Sequence, residues 1–406
     1  MTTAKADLPG PTAAAASRIN ELVLALVPVA LIVGALALAA GYDWRHAAKY
    51  VIGGLMGLAL YHAAFGFASG WRALLTDARG RGLRMHLLMI GLATLVFLPV
   101  IDQGSFFGQA AGGAIAPAGI SVLVGAFLFG IGMQLGGGCA SGTLYTAGGG
   151  NTRMMVTLAT FIAGSLIGTL HLPWWLETPA LQSASLVAML GLPGALALQV
   201  VLLGGIALAT VWWERRRHGQ VDHAPSTELR GPRRLLFGPW PLIWGAVALA
   251  ALNIATLAVA GHPWSITFGF ALWGAKIAAL AGIDVANWTF WTWPFPANAL
   301  SDSVFADGTS VMNFGILLGA ALAAGLAGRM APTRRIAARP LLAAILGGLL
   351  MGYGARLAFG CNIGAFFSGI ASGSLHGWLW FAAAMIGTWI GVRLRPFFRL
   401  DPAPRR

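Results

Sequence analysis

The chain has 406 residues, 57% of them hydrophobic and only 10% charged, with 26 Lys and Arg against 13 Asp and Glu and a net charge of +13. A soluble chain of this size carries about a quarter charged residues, so soluble folds are excluded, as are disordered chains and disulfide scaffolds, which two cysteines cannot staple. A polytopic membrane protein remains.

Residues 1–20, with Lys5, Asp7 and Arg18 in a Pro/Ala-rich setting, read as a cytoplasmic tail. The apolar run 22–41 is longer than a signal-peptide core and reads as an uncleaved first span. Further apolar runs follow at 50–71, 85–101, 117–135, 154–172 and 194–213. After a basic linker at 214–239 come 242–260, 265–282, 311–328, 340–357 and 376–392, for eleven segments in all.

Nineteen of the 26 cations fall in four short segments around Arg79, Arg216, Arg334 and Arg399, each beside an apolar run. That is the positive-inside pattern of cytoplasmic loops, not a nucleic-acid surface, which would interleave aromatics. Residues 102–116, 173–192 and 284–309 hold no Lys or Arg and are expected on the far side. The segments around Arg215 and Arg334 then share a side, yet three apolar runs separate them. One of the two flanking Gly261-His262-Pro263 must enter the bilayer without crossing, which predicts ten spans.

Superimposing the two cysteines exposes an internal repeat. At a constant offset, Gly130, Gly132, Leu135, Gly138, Cys139 and Gly142 match Gly352, Gly354, Leu357, Gly360, Cys361 and Gly364. Gly164 and Gly168 pair with Gly387 and Gly391, and Phe65-Gly66-Phe67-Ala68 is echoed by Phe268-Gly269-Phe270-Ala271. The fold class expected is an all-α polytopic membrane protein with two homologous halves, 21–213 and 240–395, joined by the linker and followed by a cytoplasmic tail at 396–406. Loop charge predicts inverted halves whose glycine-cysteine breaks meet near the midplane.

A Gly-Cys-x-x-Gly element is too rich in glycine for regular helix, so each motif reads as a break exposing N–H groups at the start of the next helical piece. Two such breaks facing each other would form an anion-selective constriction, with Cys139 and Cys361 supplying polarizable S–H groups. A lone buried cysteine is usually packing; two cysteines sharing one repeat position favour function. A disulfide needs the two loops to meet, and zinc needs about four ligands, which the scattered histidines do not supply. Gly164, Gly168, Gly387 and Gly391 read as close helix packing. Asn362, Ser141, Thr143 and Gln134 flank the breaks, either as structural hydrogen bonds or as substrate contacts. Lys276 and Arg356 map inside the apolar runs, where an ionisable group is a functional candidate and snorkelling is the alternative. With no carboxylate well inside any span, the expected substrate is an anion. Trp288, Trp291 and Trp293 read as an interfacial belt.

At these residues the chain resembles the YeeE/YedE family of sulfur-transport membrane proteins, through both cysteine motifs, Gly53 to Arg72, and His262-Pro263-Trp264 through Trp273-Gly274-Ala275-Lys276. The resemblance implies an hourglass-shaped inner-membrane carrier passing thiosulfate, or a related sulfur or selenium compound, inward between thiols. It also implies co-operation with a small cytoplasmic sulfur-carrier protein. Family members can hold a further cysteine in the segment where this chain has Ala68, so the substrate is left open between sulfur and selenium compounds. Conduction wants weak, repeated binding, which protonated thiols provide and repelling thiolates would not. The expected site is Cys139, Cys361, Gly138, Gly142, Gly360, Gly364, Asn362 and Ser141, with Lys276 and Arg356, and no metal or cofactor. A membrane enzyme carrying a persulfide is the rival from another class; no His base or dinucleotide fingerprint accompanies either motif.

Overall fold

The computed structural model describes residues 13–222, 231–330, 332 and 335–401. The expectations for the first twelve residues, for the linker stretch 223–230, and for Arg334, Arg405 and Arg406 lie outside the described residues. The first half comprises α1 (Ala13–Gly41), α2 (Trp44–Ala63), α3 (Phe67–Asp77), α4 (Arg81–Gln103), α5 (Ile120–Gly136), α6 (Ala140–Gly148), α7 (Thr152–Leu176) and α8 (Leu186–His218). Next come α9 (Gly231–Phe237), α10 (Leu242–Ala260), α11 (Thr267–Leu280), α12 (Pro294–Ser301), α13 (Gly308–Leu326) and α14 (Ala338–Leu357). A π-helix at Asn362–Gly369 and α15 (Leu375–Leu394) complete the order.

Among the described residues, ten helical stretches are long and apolar enough to cross a bilayer, and the chain is a multi-pass membrane protein. The eleventh apolar run, α11, has 14 residues. At roughly 1.5 Å per residue it reaches about 21 Å, short of a hydrocarbon core of roughly 30 Å. It is the segment after Gly261-His262-Pro263, where the charge count called for one that does not cross.

Polar side chains start the long helices by accepting orphan N–H groups. Asp43 accepts from His46 N at 2.7 Å, Asn151 from Met154 N at 3.1 Å and Asp307 from Ser310 N at 2.8 Å. Helix packing then runs through bare glycine. Gly125 lies against the Gly354 carbonyl and Gly354 against that of Gly125; Gly132 and Gly347 repeat the arrangement one turn pair away. These contacts run in opposite chain directions, so α5 and α14 cross antiparallel. Gly164 packs on the Leu349 backbone and Gly387 on that of Phe127, which pins α7 to α14 and α15 to α5. Small residues at such crossings let backbones approach where lipid supplies no hydrophobic drive between helices.

α8 continues through His218 into the basic stretch and buries the Glu214 carboxylate. Its charge is matched at close range: Arg84 Nη2 lies 2.7 Å away. Trp291 is not part of an interfacial belt. It is 1% exposed, and its indole N–H donates to Thr169 Oγ1 at 3.1 Å, so the polar edge is satisfied inside the bundle.

Candidate functional site

Each cysteine sits where a long helix stops and a short one starts. α5 ends at Gly136, Gly137 takes a φ of 95° that a side chain would resist, and Cys139 begins α6 in extended conformation. In the second half α14 ends at Leu357, Gly360 takes a φ of 154°, and Cys361 begins the π-helix. Both sulfurs turn back onto the helix they start. Gly142 N–H points at Cys139 Sγ at 3.4 Å, and Ile363 N–H at Cys361 Sγ at 3.4 Å. Ser141 Oγ is 3.3 Å from Cys139 Sγ.

The thiols are free, 1% and 0% exposed, and share one apolar cluster with Phe67, Phe366, Ile363 and Trp264. The two short helices that they start, α6 and the π-helix, pack on each other. Several polar groups in this region have no acceptor or donor among the described residues. They are both amide atoms of Asn362, Thr143 Oγ1 and Trp264 Nε1, on residues that are 0% exposed. A buried polar atom left without a partner costs about 1–3 kcal/mol, so these atoms stand where a polar guest would be stabilised.

A chain that breaks helices inside a membrane must satisfy the freed backbone groups internally. Here amides on neighbouring helices do so. Asn253 of α10 accepts from Trp264 N at 2.7 Å, Ser368 of the π-helix donates to Trp264 O at 2.8 Å, and Asn313 of α13 donates to Ile266 O at 2.9 Å. On the other half Gln134 donates to Ala68 O at 2.9 Å. Asn253 and Asn313 were missed in reading the sequence, although an amide in mid-span is a legible signal.

Two pockets open at opposite ends of the bundle, and neither is lined by a cysteine. One, of about 450 Å³, opens on the face that carries Asp302 and Asp307 and is also lined by Lys49, His262, Ser265 and Thr309. A Cβ on Gly364 would stand 3.8 Å from Ser265 Oγ, so this pocket ends against the second cysteine motif. Burial pushes the Asp307 carboxyl up from its usual 3.8, against hydrogen bonds from Ser310 that hold it down. The other pocket, of about 200 Å³, opens on the arginine-rich face and is lined by Gly66, Ser69, Arg79, Arg81, His86 and Asp222.

The structure brings Gly138, Cys139, Ser141, Gly142, Gly360, Cys361, Asn362 and Gly364 into the two breaks. It does not bring Lys276 there: its ammonium donates to the carbonyls of Leu300 at 2.9 Å and Asp302 at 2.5 Å. Arg356 also points elsewhere, with its guanidinium carbon 5.5 Å from the Phe290 ring centre and Nε and Nη1 buried without an acceptor among the described residues. Ala68 is 3% exposed and supplies no thiol. No His/Cys/Asp/Glu group suited to a metal occurs among the described residues.

Residues 62–390 match the sequence pattern of the family described as Sulphur transport. The probable transporter YedE of Escherichia coli K12 is 36% identical over 166 residues, 40% of each chain, so the match spans well under half of that relative. The thiosulfate transporter TsuA of Spirochaeta thermophila is 25% identical over 84% of this chain and 96% of its own length. The thiosulfate transporter TsuA of Escherichia coli K12 is 26% identical over 85% and 94%.

Proposed function

This chain belongs to the sulphur-transport family, and from that premise we propose that it takes up thiosulfate or a closely related sulfur anion through a thiol-lined path across the inner membrane. The observation that carries the reading is the pair of buried, free thiols, each starting a helix at a break. The similarity, over 84% and 85% of this chain, to two proteins named as thiosulfate transporters supports the substrate class.

The path runs from the acidic-face pocket past Ser265 to Gly360, Cys361, Asn362 and Gly364, then to Gly138, Cys139, Ser141 and Gly142, and out beside Phe67. A protonated thiol donates a weak hydrogen bond to the terminal sulfur of thiosulfate, while Asn362 and Thr143 offer polar atoms to its oxygens. Each contact is weak and there are several, which is what passage requires. Lys276 and Arg356 act through positive potential on the acidic-face half, not by contact.

The reciprocal glycine contacts between α5 and α14 support two inverted halves, 21–213 and 240–395, because a pseudo-two-fold axis at their crossing exchanges Gly125 with Gly347 and Gly132 with Gly354. The arginine-rich face is then cytoplasmic, with both termini on that side. A small cytoplasmic sulfur-carrier protein would receive the anion there. Uptake of labelled thiosulfate by cells carrying the wild type or the Cys139→Ala/Cys361→Ala variant tests the reading. Equal uptake would remove the thiols from the path, and a lasting covalent adduct in intact mass would favour a sulfur-transfer enzyme. Stronger competition by a selenium compound than by sulfate or sulfite would move the substrate to that element.

A further inference from the structure

The arginine-rich pocket holds charge that the thiol path does not account for. Glu214, 0% exposed, receives Arg84 Nη2 at 2.7 Å, Arg79 Nη1 at 3.7 Å, and the backbone N–H groups of Asp222 at 2.9 Å and Gly80 at 3.3 Å. Its lone pairs are therefore committed to the protein. Asp222 Oδ1 reaches the same Arg79 only at 4.0 Å, from a side chain that is 42% exposed. Arg81 lines the pocket with no acceptor among the described residues. Three guanidiniums thus face two carboxylates, and one of those carboxylates is loosely held.

The wall on the thiol side is also unfinished. His86 is 2% exposed, its Nδ1 has no partner among the described residues, and its ring stacks on Phe67 with centres 4.1 Å apart and planes at 15°. Ser69 donates its hydroxyl to Gly66 O at 3.0 Å, so the donors this pocket offers are the guanidiniums and, in the tautomer protonated at Nδ1, the imidazole. The volume, about 200 Å³, is several times the roughly 30 Å³ share of a water molecule.

We propose that this pocket is a second binding site, for a water-borne tetrahedral oxyanion, in which Arg79, Arg81 and His86 take the anion's oxygens and the Asp222 carboxylate is the tethered counter-ion that an arriving anion displaces. Its place at the inner end of the path rests on the transport reading; the binding itself does not. Bidentate guanidinium contacts suit oxyanion geometry, and His86, stacked on Phe67, connects the site to the apolar cluster that holds the thiols. Because Asp222 competes for Arg79, the site releases what it binds.

The test uses the full chain in detergent with both cysteines changed to alanine, titrated calorimetrically with thiosulfate and with sulfate at low salt. Binding of both anions is expected to persist in this background. Arg81→Gln should weaken it about tenfold, corresponding to one lost charged contact, and Asp222→Asn should tighten it severalfold. Arg45→Gln, on the opposite face, should change nothing. Because Arg81 has no acceptor among the described residues to lose, that variant should remain folded, and Asp222→Asn tests the site with the opposite sign. Absence of binding in the cysteine-free background, or titrations indifferent to both variants, would overturn the proposal. So would displacement by a short-chain anionic phospholipid without displacement by sulfate, which would make the pocket a lipid headgroup site. Failure of the wild type to move thiosulfate into liposomes would instead strike the transport reading and leave the titration to stand.

Discussion

Gly125 and Gly354 meet backbone to backbone, each with its bare Cα against the other's carbonyl oxygen, and so set the crossing of the two helices that lead to Cys139 and Cys361. A Cβ built on Gly125 would lie 2.6 Å from Gly354 O. The contact fixes where α5 and α14 end relative to each other, and each thiol follows one of those ends by three or four residues.

Gly125→Ala is therefore expected to force the two helices apart. Overpacking of this kind costs about 1–3 kcal/mol. The thermal midpoint of the purified protein should fall, whereas Gly204→Ala, where a Cβ meets nothing within 4 Å, should leave it within experimental error. Equal midpoints for all three proteins would show that the crossing is not tightly packed.

Cys139→Ala and Cys361→Ala should each reduce thiosulfate uptake about tenfold or more, the equivalent of roughly 1.4 kcal/mol. Elution as a single folded species is expected for both, because a small apolar side chain replaces a buried thiol in an apolar cluster. Substitution by Ser should restore part of the uptake if hydrogen bonding is the role, since the hydroxyl also donates.

Asn253→Leu removes the acceptor of Trp264 N–H and the donor to Ser368 Oγ at 3.2 Å. Leaving a buried N–H unpaired costs about 1–3 kcal/mol. The expected result is a lower thermal midpoint together with faster hydrogen exchange at the Trp264 amide. Unchanged exchange there would mean another group satisfies the break.

Asp307 carries a pH signature. Burial raises its pKa above 3.8, so the folded protein holds that proton more tightly than the unfolded chain. The stabilisation is complete below the ordinary aspartate value and is lost as pH rises through the raised one. Asp307→Asn keeps an acceptor for Ser310 N without the charge. Its thermal midpoint should decline less than that of the wild type as pH is raised from about 4. Parallel pH profiles would contradict the burial argument.

Much of this protein is legible in its residues alone. Apolar runs separated by arginine clusters announce a multi-pass bundle, because bilayer thickness dictates run length and cation retention dictates which loops carry charge. That one of the two segments beside Gly261-His262-Pro263 does not cross is legible by parity, and the cysteine pair by duplication; which of the two it is, the 14 residues of α11 decide. Composition did not disclose the roles of Lys276 and Trp291, because an ammonium near a span end, or an indole in a cation-poor loop, has the same local pattern whether it faces lipid or protein. Only packing settles which: Lys276 finds the carbonyls of Leu300 and Asp302, and Trp291 finds Thr169.

The sequence by itself determined the membrane setting, the duplicated glycine-cysteine motifs and the family, since these depend on one-dimensional periodicity and on residue identity. Tertiary structure alone decided where each thiol lies, which amides complete the broken backbone, and that Glu214 is buried beneath the arginine-rich pocket. The reason is that hydrogen bonds and ion pairs of this kind join residues far apart in the chain, Gly80 and Glu214 or Asn313 and Ile266. Their partners are selected by helix crossings that no local pattern encodes.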